Sequence, residues 1–368
     1  MLYYIIPLFV CLIAIFRYDM AQTRQREGKL VWIFLYVYLI VLMGYRYEVG
    51  GDTLNYMGYW NYQEDLSDWQ LTFKEQFAPG YSLLCALSYT LSPEFYVFQL
   101  IHSFILNSLL FYFICKNAQY KFSSLMVVFI LTYLYFSTEI LREVIAVLIF
   151  SFNCSNLKNR KWIPYYCGVF LSVLFHYSAF ILVIFPFLTW VKFDKKYIWC
   201  CLITGVLLMF LLPIISLFEG VVVVGDKLSG YSQDTTHGIL ADFMALLRSW
   251  IFPLLFVLFM KYGMHRSIKY ENLIAIMTLF GFAAYFSPII FSRFSNYLIL
   301  FYAISLADIL IDCIRSSTVT RNNAIILFFC FILLYGSDYL MYRRYMRWVP
   351  YYSIWNPHHA DRDNYNKN

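Results

Sequence analysis

Long apolar runs separated by short polar segments make up most of this chain. Most of the runs are about 15–22 residues long, close to the roughly 20 residues with which an α-helix crosses a bilayer. They are continuous rather than alternating, which argues against a membrane β-barrel. We therefore predict an all-α polytopic membrane protein. The apolar runs lie at 2–16, 30–44, 94–115, 122–137, 140–154, 162–175, 178–191, 197–218, 239–260, 272–291, 294–312 and 322–341.

Short basic clusters separate these runs and predict the topology. Cytoplasmic loops carry an excess of Lys and Arg, so an even number of crossings is expected between neighbouring clusters. Two runs separate each pair from residue 121 onward, but three separate the first pair once the weaker run 77–92 is included. We therefore predict that run 77–92 is a re-entrant or interfacial segment, or half of a broken helix. The basic clusters lie at 17–29, 116–121, 158–161, 192–196, 261–269 and 315–321.

The topology that results has about twelve transmembrane helices and places both termini outside. It forms a single integral membrane domain, residues 1–368. A first outside loop with the re-entrant segment covers 44–93, and a second covers 219–238. The polar-rich turns between helices all fall on the non-cytoplasmic side, where we expect the functional site.

Composition agrees with this architecture and excludes several function classes. The chain is 61% hydrophobic and 14% charged, whereas soluble domains carry about 25% charged residues. The net charge of +6 comes from the clustered basic residues, and we expect no nucleic-acid partner. The nine cysteines are scattered. Because no nucleotide-binding or metal-binding motif occurs, we expect no cofactor and no metal.

Four arginines are predicted on the outer side, at or below the membrane interface: Arg46, Arg142, Arg248 and Arg293. Arg248 lies within an apolar run, where a cation should face the bundle interior or a water-filled cavity. Each arginine alone can be explained by pairing with a nearby carboxylate or carbonyl. Together they outnumber the carboxylates expected at similar depth, which favours an anion such as a lipid-linked phosphate or pyrophosphate.

Five sequence elements, spread over nearly the whole chain, resemble the EpsG-type polysaccharide polymerases, which are Wzy-like O-antigen, capsule and exopolysaccharide polymerases of bacteria. Two positions depart from the expected pattern: Ala78 stands where Glu is expected, and Glu143 where Gln is expected. The elements are R-Y-E-V-G-G-D-T-L-N-Y at 46–56, F-A-P-G-Y-S-L-L at 77–84, L-R-E-V-I-A at 141–146, L-F-H-Y-S-A at 174–179 and S-R-F-S-N-Y at 292–297.

The resemblance implies a GT-C-like glycosyltransferase in the bacterial inner membrane, with its active site facing the periplasm. It would polymerise undecaprenyl-pyrophosphate-linked repeat units into O-antigen or a related polysaccharide. The glycan donor and acceptor, membrane lipids, a flippase, a chain-length regulator and a ligase would be its partners. The alternatives are a flippase or transporter for the same lipid-linked sugars, an O-antigen ligase, and a membrane acyltransferase.

Under this hypothesis the four arginines stabilise the pyrophosphate leaving group. The acceptor hydroxyl needs a base, for which the sequence offers Asp52, His176, Glu139 and Glu143. A self-neutralising ion pair of Glu139, Glu143 and Arg142, or a packing role for His176, is an alternative explanation. Aromatic side chains would stack against the sugars, and the 219–238 loop would gate acceptor entry. The predicted sugar contacts are Tyr56, Tyr59, Trp60 and Tyr297.

Overall fold

The computed structural model describes residues 1–21, 25–69, 77–194, 196–197, 199–207, 239–285, 288–340 and 347–357. Within these ranges the regular structure is helical, and no β-strand forms. The predicted loop 219–238 lies outside the described residues. The helices are α1 Leu2–Met20, α2 Gln25–Gly44, α3 Thr53–Trp60, α4 Pro79–Leu91, α5 Phe95–Asn117, α6 Lys121–Thr138, α7 Leu141–Lys158, α8 Trp162–Phe175, α9 Tyr177–Leu188, α10 199–207, α11 239–263, α12 Glu271–Ala283, α13 Pro288–Ile314 and α14 Thr318–Leu340.

Seven helices in the described ranges are long and apolar enough to cross a membrane. The chain is therefore an all-α membrane protein, as the apolar runs predict. Three shorter apolar helices, α8, α9 and α12, lie on further predicted runs. The number of about twelve crossings and the GT-C-like arrangement stay predictions. The seven helices contain the segments Leu2–Met20, Glu27–Gly44, Phe95–Asn117, Lys121–Thr138, Phe243–Tyr262, Ile290–Ile314 and Val319–Gly336.

The chain forms two compact units. The first unit consists of Met1–Val183 together with Ala303–Asn368, and the second of Ile184–Tyr302. The first unit contains the loop at 44–93 that is predicted to lie outside, here called the first loop, and most of the predicted site residues.

Close backbone approach at small residues holds the helices of the first unit together. A Cβ atom at Gly168 of α8 would lie 2.4 Å from Cγ of Asn153 in α7. The Asn153 amide uses this proximity to donate to the carbonyl oxygen of Tyr165 at 2.7 Å. Gly44, at the end of α2, similarly packs against Leu100 of α5.

Two carboxylates cap the N-terminal end of α6. This end of the helix adjoins the basic cluster at 116–121. Asp308 accepts the main-chain N–H groups of Gln119 and Tyr120 at 3.0 Å. Asp19 accepts the Ser123 N–H at 2.8 Å. These bonds satisfy donors that a helix start leaves without an intrahelical partner. The opposite end of α6 carries Thr138 and the turn that leads into α7.

Helix α4 is 13 residues long, which corresponds to about 20 Å. The hydrocarbon core of a bilayer is about 30 Å thick. Near the start of α4, Gly80 packs against Leu174, and near its end Thr90 Oγ1 accepts the Leu66 N–H of the first loop at 3.1 Å. Because α8, α9 and α12 are similarly short, the length of α4 does not distinguish a re-entrant segment from a crossing, and the re-entrant or interfacial segment stays a prediction.

In the second unit, α11 and α12 also pack at a small residue. A Cβ atom at Gly281 would lie 2.1 Å from the carbonyl oxygen of Ser249, so only glycine fits there. Lys261 and Glu271 form an ion pair between the two helices at 2.6 Å.

Candidate functional site

The first loop contains a turn at two glycines, Gly50 and Gly51, immediately before Asp52. Gly50 has a φ of +116°, a conformation that side-chain-bearing residues rarely adopt. A Cβ atom on Gly50 would lie 2.5 Å from Cβ of Thr138, and one on Gly51 would lie 3.3 Å from Nε of Arg347. The turn is therefore packed between the end of α6 and a residue near the end of the chain.

Arg46 is buried beneath this turn, with 1% of its surface exposed. Its guanidinium donates to the carbonyl oxygen of Val49 at 3.2 Å and to that of Met43 in the last turn of α2. Among the described residues, its Nη2 has no hydrogen-bond partner. Burial lowers the pKa of Arg46 to about 10. In this structure, Arg46 therefore closes the end of a helix and does not face the exterior.

Helix α3 carries three of the predicted sugar contacts, and they differ in exposure. Tyr56 and Trp60 are each 8% exposed and belong to an aromatic core, whereas Tyr59 is 41% exposed. Trp60 donates through Nε1 to the carbonyl oxygen of Pro93 at 2.7 Å. Tyr59 stands edge-on to Phe77 at 5.3 Å between ring centroids. Tyr59 is thus the one of these three that presents its ring to a ligand.

A small pocket lies among these rings, with an empty volume of about 240 Å³ that includes space open to solvent. Its walls are mainly aromatic, and Gln63 supplies a polar group. The lining residues are Tyr56, Tyr59, Trp60, Gln63, Phe77, Tyr81, Cys85, Phe95 and Phe98.

Arg142 lies against the aromatic core, in the first turn of α7. Its guanidinium carbon is 4.8 Å from the centroid of the Phe77 ring and 5.9 Å from that of Tyr56. A cation over an aromatic face within about 6 Å is attracted by the ring quadrupole. Burial raises the pKa of Tyr56, and the charge of Arg142 opposes that shift. The Tyr56 hydroxyl donates to the carbonyl oxygen of Glu139 at 3.3 Å.

The three candidate carboxylates occupy different environments. Glu139 and Glu143 are buried, at 6% and 2% exposure. Glu139 Oε2 accepts from Nη1 of Arg347 at 2.9 Å. Asp52 is exposed and immediately precedes α3. It also lies close enough to Tyr56 for its charge to raise the phenol pKa.

His176 follows the last residue of α8, directly after Phe175, which packs on the aromatic core. Its Nδ1 lies 2.6 Å from the Ser178 hydroxyl oxygen and accepts the Ser178 N–H at 3.3 Å. A neutral ring that accepts at Nδ1 carries its proton on Nε2.

Arg248, Arg293 and Tyr297 belong to the second unit. Arg248 lies in a π-helical turn of α11, and Arg293 in the second turn of α13; both are partly buried. Tyr297 is fully buried, at 0% exposure. Their predicted roles stay predictions.

Sequence reasoning missed Arg347. The tail from Asp338 is visibly polar and basic, but it contains three arginines between 343 and 347, and no local pattern selects one of them. The pair with Glu139 spans 208 positions. The structure thus adds a fifth arginine to the candidate residues.

The first unit therefore places Glu139 and Arg142 against Tyr56 of the aromatic core, and Asp52 immediately before the helix that carries Tyr56. Glu143 is buried in the same first turn of α7 as Arg142. This arrangement can hold an anion at a guanidinium, accept a proton at an exposed carboxylate and offer a ring to a sugar. Among the described residues, no group of three or more His, Cys, Asp or Glu is placed to hold a metal ion.

Comparison with known proteins gives one match. The model of the EpsG family matches residues 29–353, a range that includes the first loop, α7 and Arg347. No curated protein and no solved structure matches the chain. Because the matched range covers most of the chain, this protein belongs to the EpsG family and is a membrane protein of the polysaccharide-polymerase type.

Proposed function

We propose that this protein is a membrane glycosyltransferase that polymerises undecaprenyl-pyrophosphate-linked repeat units into O-antigen or a related polysaccharide. The reaction takes place on the periplasmic face of the inner membrane. The observation that carries the proposal is that Arg142, whose guanidinium carbon is 5.9 Å from the Tyr56 ring, and the exposed Asp52, immediately before the helix of Tyr56, flank one aromatic core. A flippase supplies the substrate, and a chain-length regulator acts on the product.

In the reaction, a hydroxyl of the acceptor unit attacks the anomeric carbon of the donor glycan. The bond between that carbon and the pyrophosphate oxygen breaks, and undecaprenyl pyrophosphate leaves with the bonding electrons. Negative charge therefore develops on the pyrophosphate, and Arg142 stabilises it. Asp52 takes the proton of the hydroxyl, since it is the exposed carboxylate of the site, whereas Glu139 and Glu143 are buried.

His176 serves as a hydrogen-bond donor in this scheme. Its Nδ1 already accepts the Ser178 N–H, so the neutral ring offers a proton at Nε2 rather than a lone pair. This favours a contact to a phosphate or sugar oxygen over the role of base. Tyr59, with the edge of Phe77 beside it, supplies the exposed ring for a sugar face.

The test uses a strain in which the gene is deleted. We expect single-repeat lipid-linked glycan to accumulate there, and the wild-type chain to restore a ladder of polymer lengths. Asp52→Asn should lower polymer formation by about 10²–10⁴-fold, the usual contribution of a general base. Asp65→Asn, an exposed carboxylate of the same loop, is the matched control and should restore the ladder.

Two outcomes would contradict the proposal. Accumulation of the repeat unit on the cytoplasmic leaflet after deletion would instead assign a flippase. Polymer that forms normally but is not transferred to its final acceptor would assign a ligase.

A further inference from the structure

A segment near the end of the chain, Arg347–Trp355, packs onto the first loop; we call it the C-terminal segment. Arg46 and Ser353 form an antiparallel bridge between the two. Three main-chain hydrogen bonds accompany it: Tyr47 N–H to Tyr352 O at 2.9 Å, Ile354 N–H to Tyr45 O at 3.0 Å and Gly50 N–H to Arg347 O at 2.9 Å.

Side chains fix the same segment to the ends of two helices. Trp348 donates through Nε1 to Oγ1 of Thr138 at 3.1 Å, at the end of α6. The Tyr351 hydroxyl donates to the carbonyl oxygen of Leu42 in α2 at 2.8 Å. The segment is therefore fixed to α6 and α2 as well as to the first loop.

Within this contact, Arg347 holds the glycine turn in two ways. Its carbonyl oxygen accepts the Gly50 N–H, and its side chain packs against Gly51, where a Cβ atom would lie 3.3 Å from Nε. On the other side of the turn, Thr138 leaves no room for a side chain at Gly50. The next residue after the turn is Asp52.

Glu139 fixes the position of the Arg347 guanidinium. Its carboxylate, on a buried side chain, accepts from Nη1 of the Arg347 side chain, which is 35% exposed. Because Glu139 directly follows Thr138, the ion pair closes a ring of contacts around the turn. A charge-assisted bond of this kind restricts both partners more than a neutral one does.

We propose that Arg347 and Glu139 are a positioning pair for Asp52: they hold the turn Gly50–Gly51, and with it the Asp52 carboxylate, in place. This inference rests on the proposed role of Asp52 as the base. Neither partner of the pair contacts the reacting atoms. Arg347 acts through the turn, and Glu139 acts through Arg347.

The test compares Arg347→Gln and Arg347→Lys in the deletion strain, with polymer formation measured in isolated membranes from accumulated lipid-linked glycan. A displacement of about 1 Å at a reacting group costs up to about 10²-fold in rate, and we expect a loss approaching this for Arg347→Gln. Arg347→Lys keeps a cation for the single bond to Glu139 and should recover most of the rate. Arg321→Gln, an exposed arginine of α14, is the matched control.

A double variant tests whether the pair acts as a unit. If Glu139 works through Arg347, Glu139→Gln combined with Arg347→Gln should lose no more than Arg347→Gln alone, since residues in one network are not additive. Losses that multiply would overturn the pairing. Equal losses for Arg347→Gln and Arg347→Lys would overturn the role of the charge.

Docking of the segment is measured separately, by thiol cross-linking of Tyr45→Cys to Trp355→Cys, whose rings lie 4.5 Å apart. The exposed Cys115, Cys167 and Cys330 are replaced by serine for this measurement. We expect the cross-link to persist in Arg347→Gln while the rate of polymer formation falls. Loss of the cross-link would instead assign Arg347 to docking of the segment.

A wild-type rate in Arg347→Gln would overturn the inference, whereas failure of the wild-type chain to restore polymer would overturn the proposed function.

Discussion

Gly50 and Thr138 are packed so closely that a Cβ atom at residue 50 would lie 2.5 Å from Cβ of Thr138. The φ of Gly50, +116°, excludes a side chain independently of this contact. The first loop is thus located by the end of α6 rather than by its own sequence alone. Helix packing in the first unit determines where Asp52 lies.

Replacing Gly50 by alanine should therefore destabilise the protein. Backbone strain costs about 1–3 kcal/mol, and the contact with Thr138 adds about 1–3 kcal/mol. The measurement is the Tm of the purified protein in detergent. Gly58→Ala is the matched control: Gly58 lies in α3 with nothing within 4 Å of an added Cβ, so alanine should stabilise by about 0.5–1 kcal/mol. An equal fall in Tm for both variants would contradict this account.

Phe77 should matter for the placement of Arg142, because its ring lies 4.8 Å from the guanidinium carbon. Phe77→Leu removes a cation–π contact of about 0.5–2 kcal/mol, and polymer formation should fall several-fold. Phe77→Tyr keeps the aromatic face and should stay close to wild type. Rates are compared at equal protein level; identical rates for the leucine and tyrosine variants would argue against a role for the ring.

Arg46→Met should lower stability and polymer formation together. The carbonyl group of Met43 loses its Arg46 donor, at a cost of about 1–3 kcal/mol for a buried group left unsatisfied. The carbonyl group of Val49 loses one of two donors and keeps the Thr53 hydroxyl. Loss of polymer at an unchanged Tm would instead indicate that Arg46 contacts the substrate, as predicted from the sequence.

The pH dependence of stability gives a second measurement on Arg46. Burial lowers its pKa to about 10 in the folded state, so the unfolded chain binds this proton more tightly. Stability should then rise with pH only above about pH 10, and Arg46 should add no pH dependence near neutral pH, where it is protonated in both states. Comparing wild type with Arg46→Met in denaturant titrations isolates this contribution.

The predicted topology can be checked by cysteine labelling from outside the cell membrane. Asp52→Cys should react with a membrane-impermeant maleimide, whereas His265→Cys should react only after the membrane is opened. Both positions are exposed on the protein, so a lack of reaction reports the side of the membrane. The reverse pattern would overturn the assignment of the basic clusters to the cytoplasm.

The helices could be predicted from the sequence because their apolar runs are long. The run 94–115 becomes Phe95–Asn117, and the run 122–137 becomes Lys121–Thr138. Each helix ends close to the point where charged and polar residues begin, because burying such groups in the membrane is costly. The loop at 219–238, by contrast, has no long apolar run in its sequence from which a helix could be predicted.

The roles of individual side chains in the first loop could not be predicted in the same way. Arg46, Asp52 and Tyr56 lie within one short stretch, yet Arg46 and Tyr56 are buried and Asp52 is exposed. Which residue turns inward depends on partners far along the chain, such as the C-terminal segment. The ion pair of Glu139 with Arg347 depends on the same long-range packing.

The contact between the two ends of the first unit sets the order in which the site can assemble during synthesis. The turn before Asp52 is completed by Arg347, and Tyr4 donates to the carbonyl oxygen of Trp348 at 2.9 Å. Contacts this far apart in sequence form only after the intervening chain has been made. The helices can insert one after another, but Asp52 acquires its final surroundings only when residue 347 has emerged from the ribosome. A partly synthesised chain therefore lacks the surroundings of Asp52 that the proposed function requires.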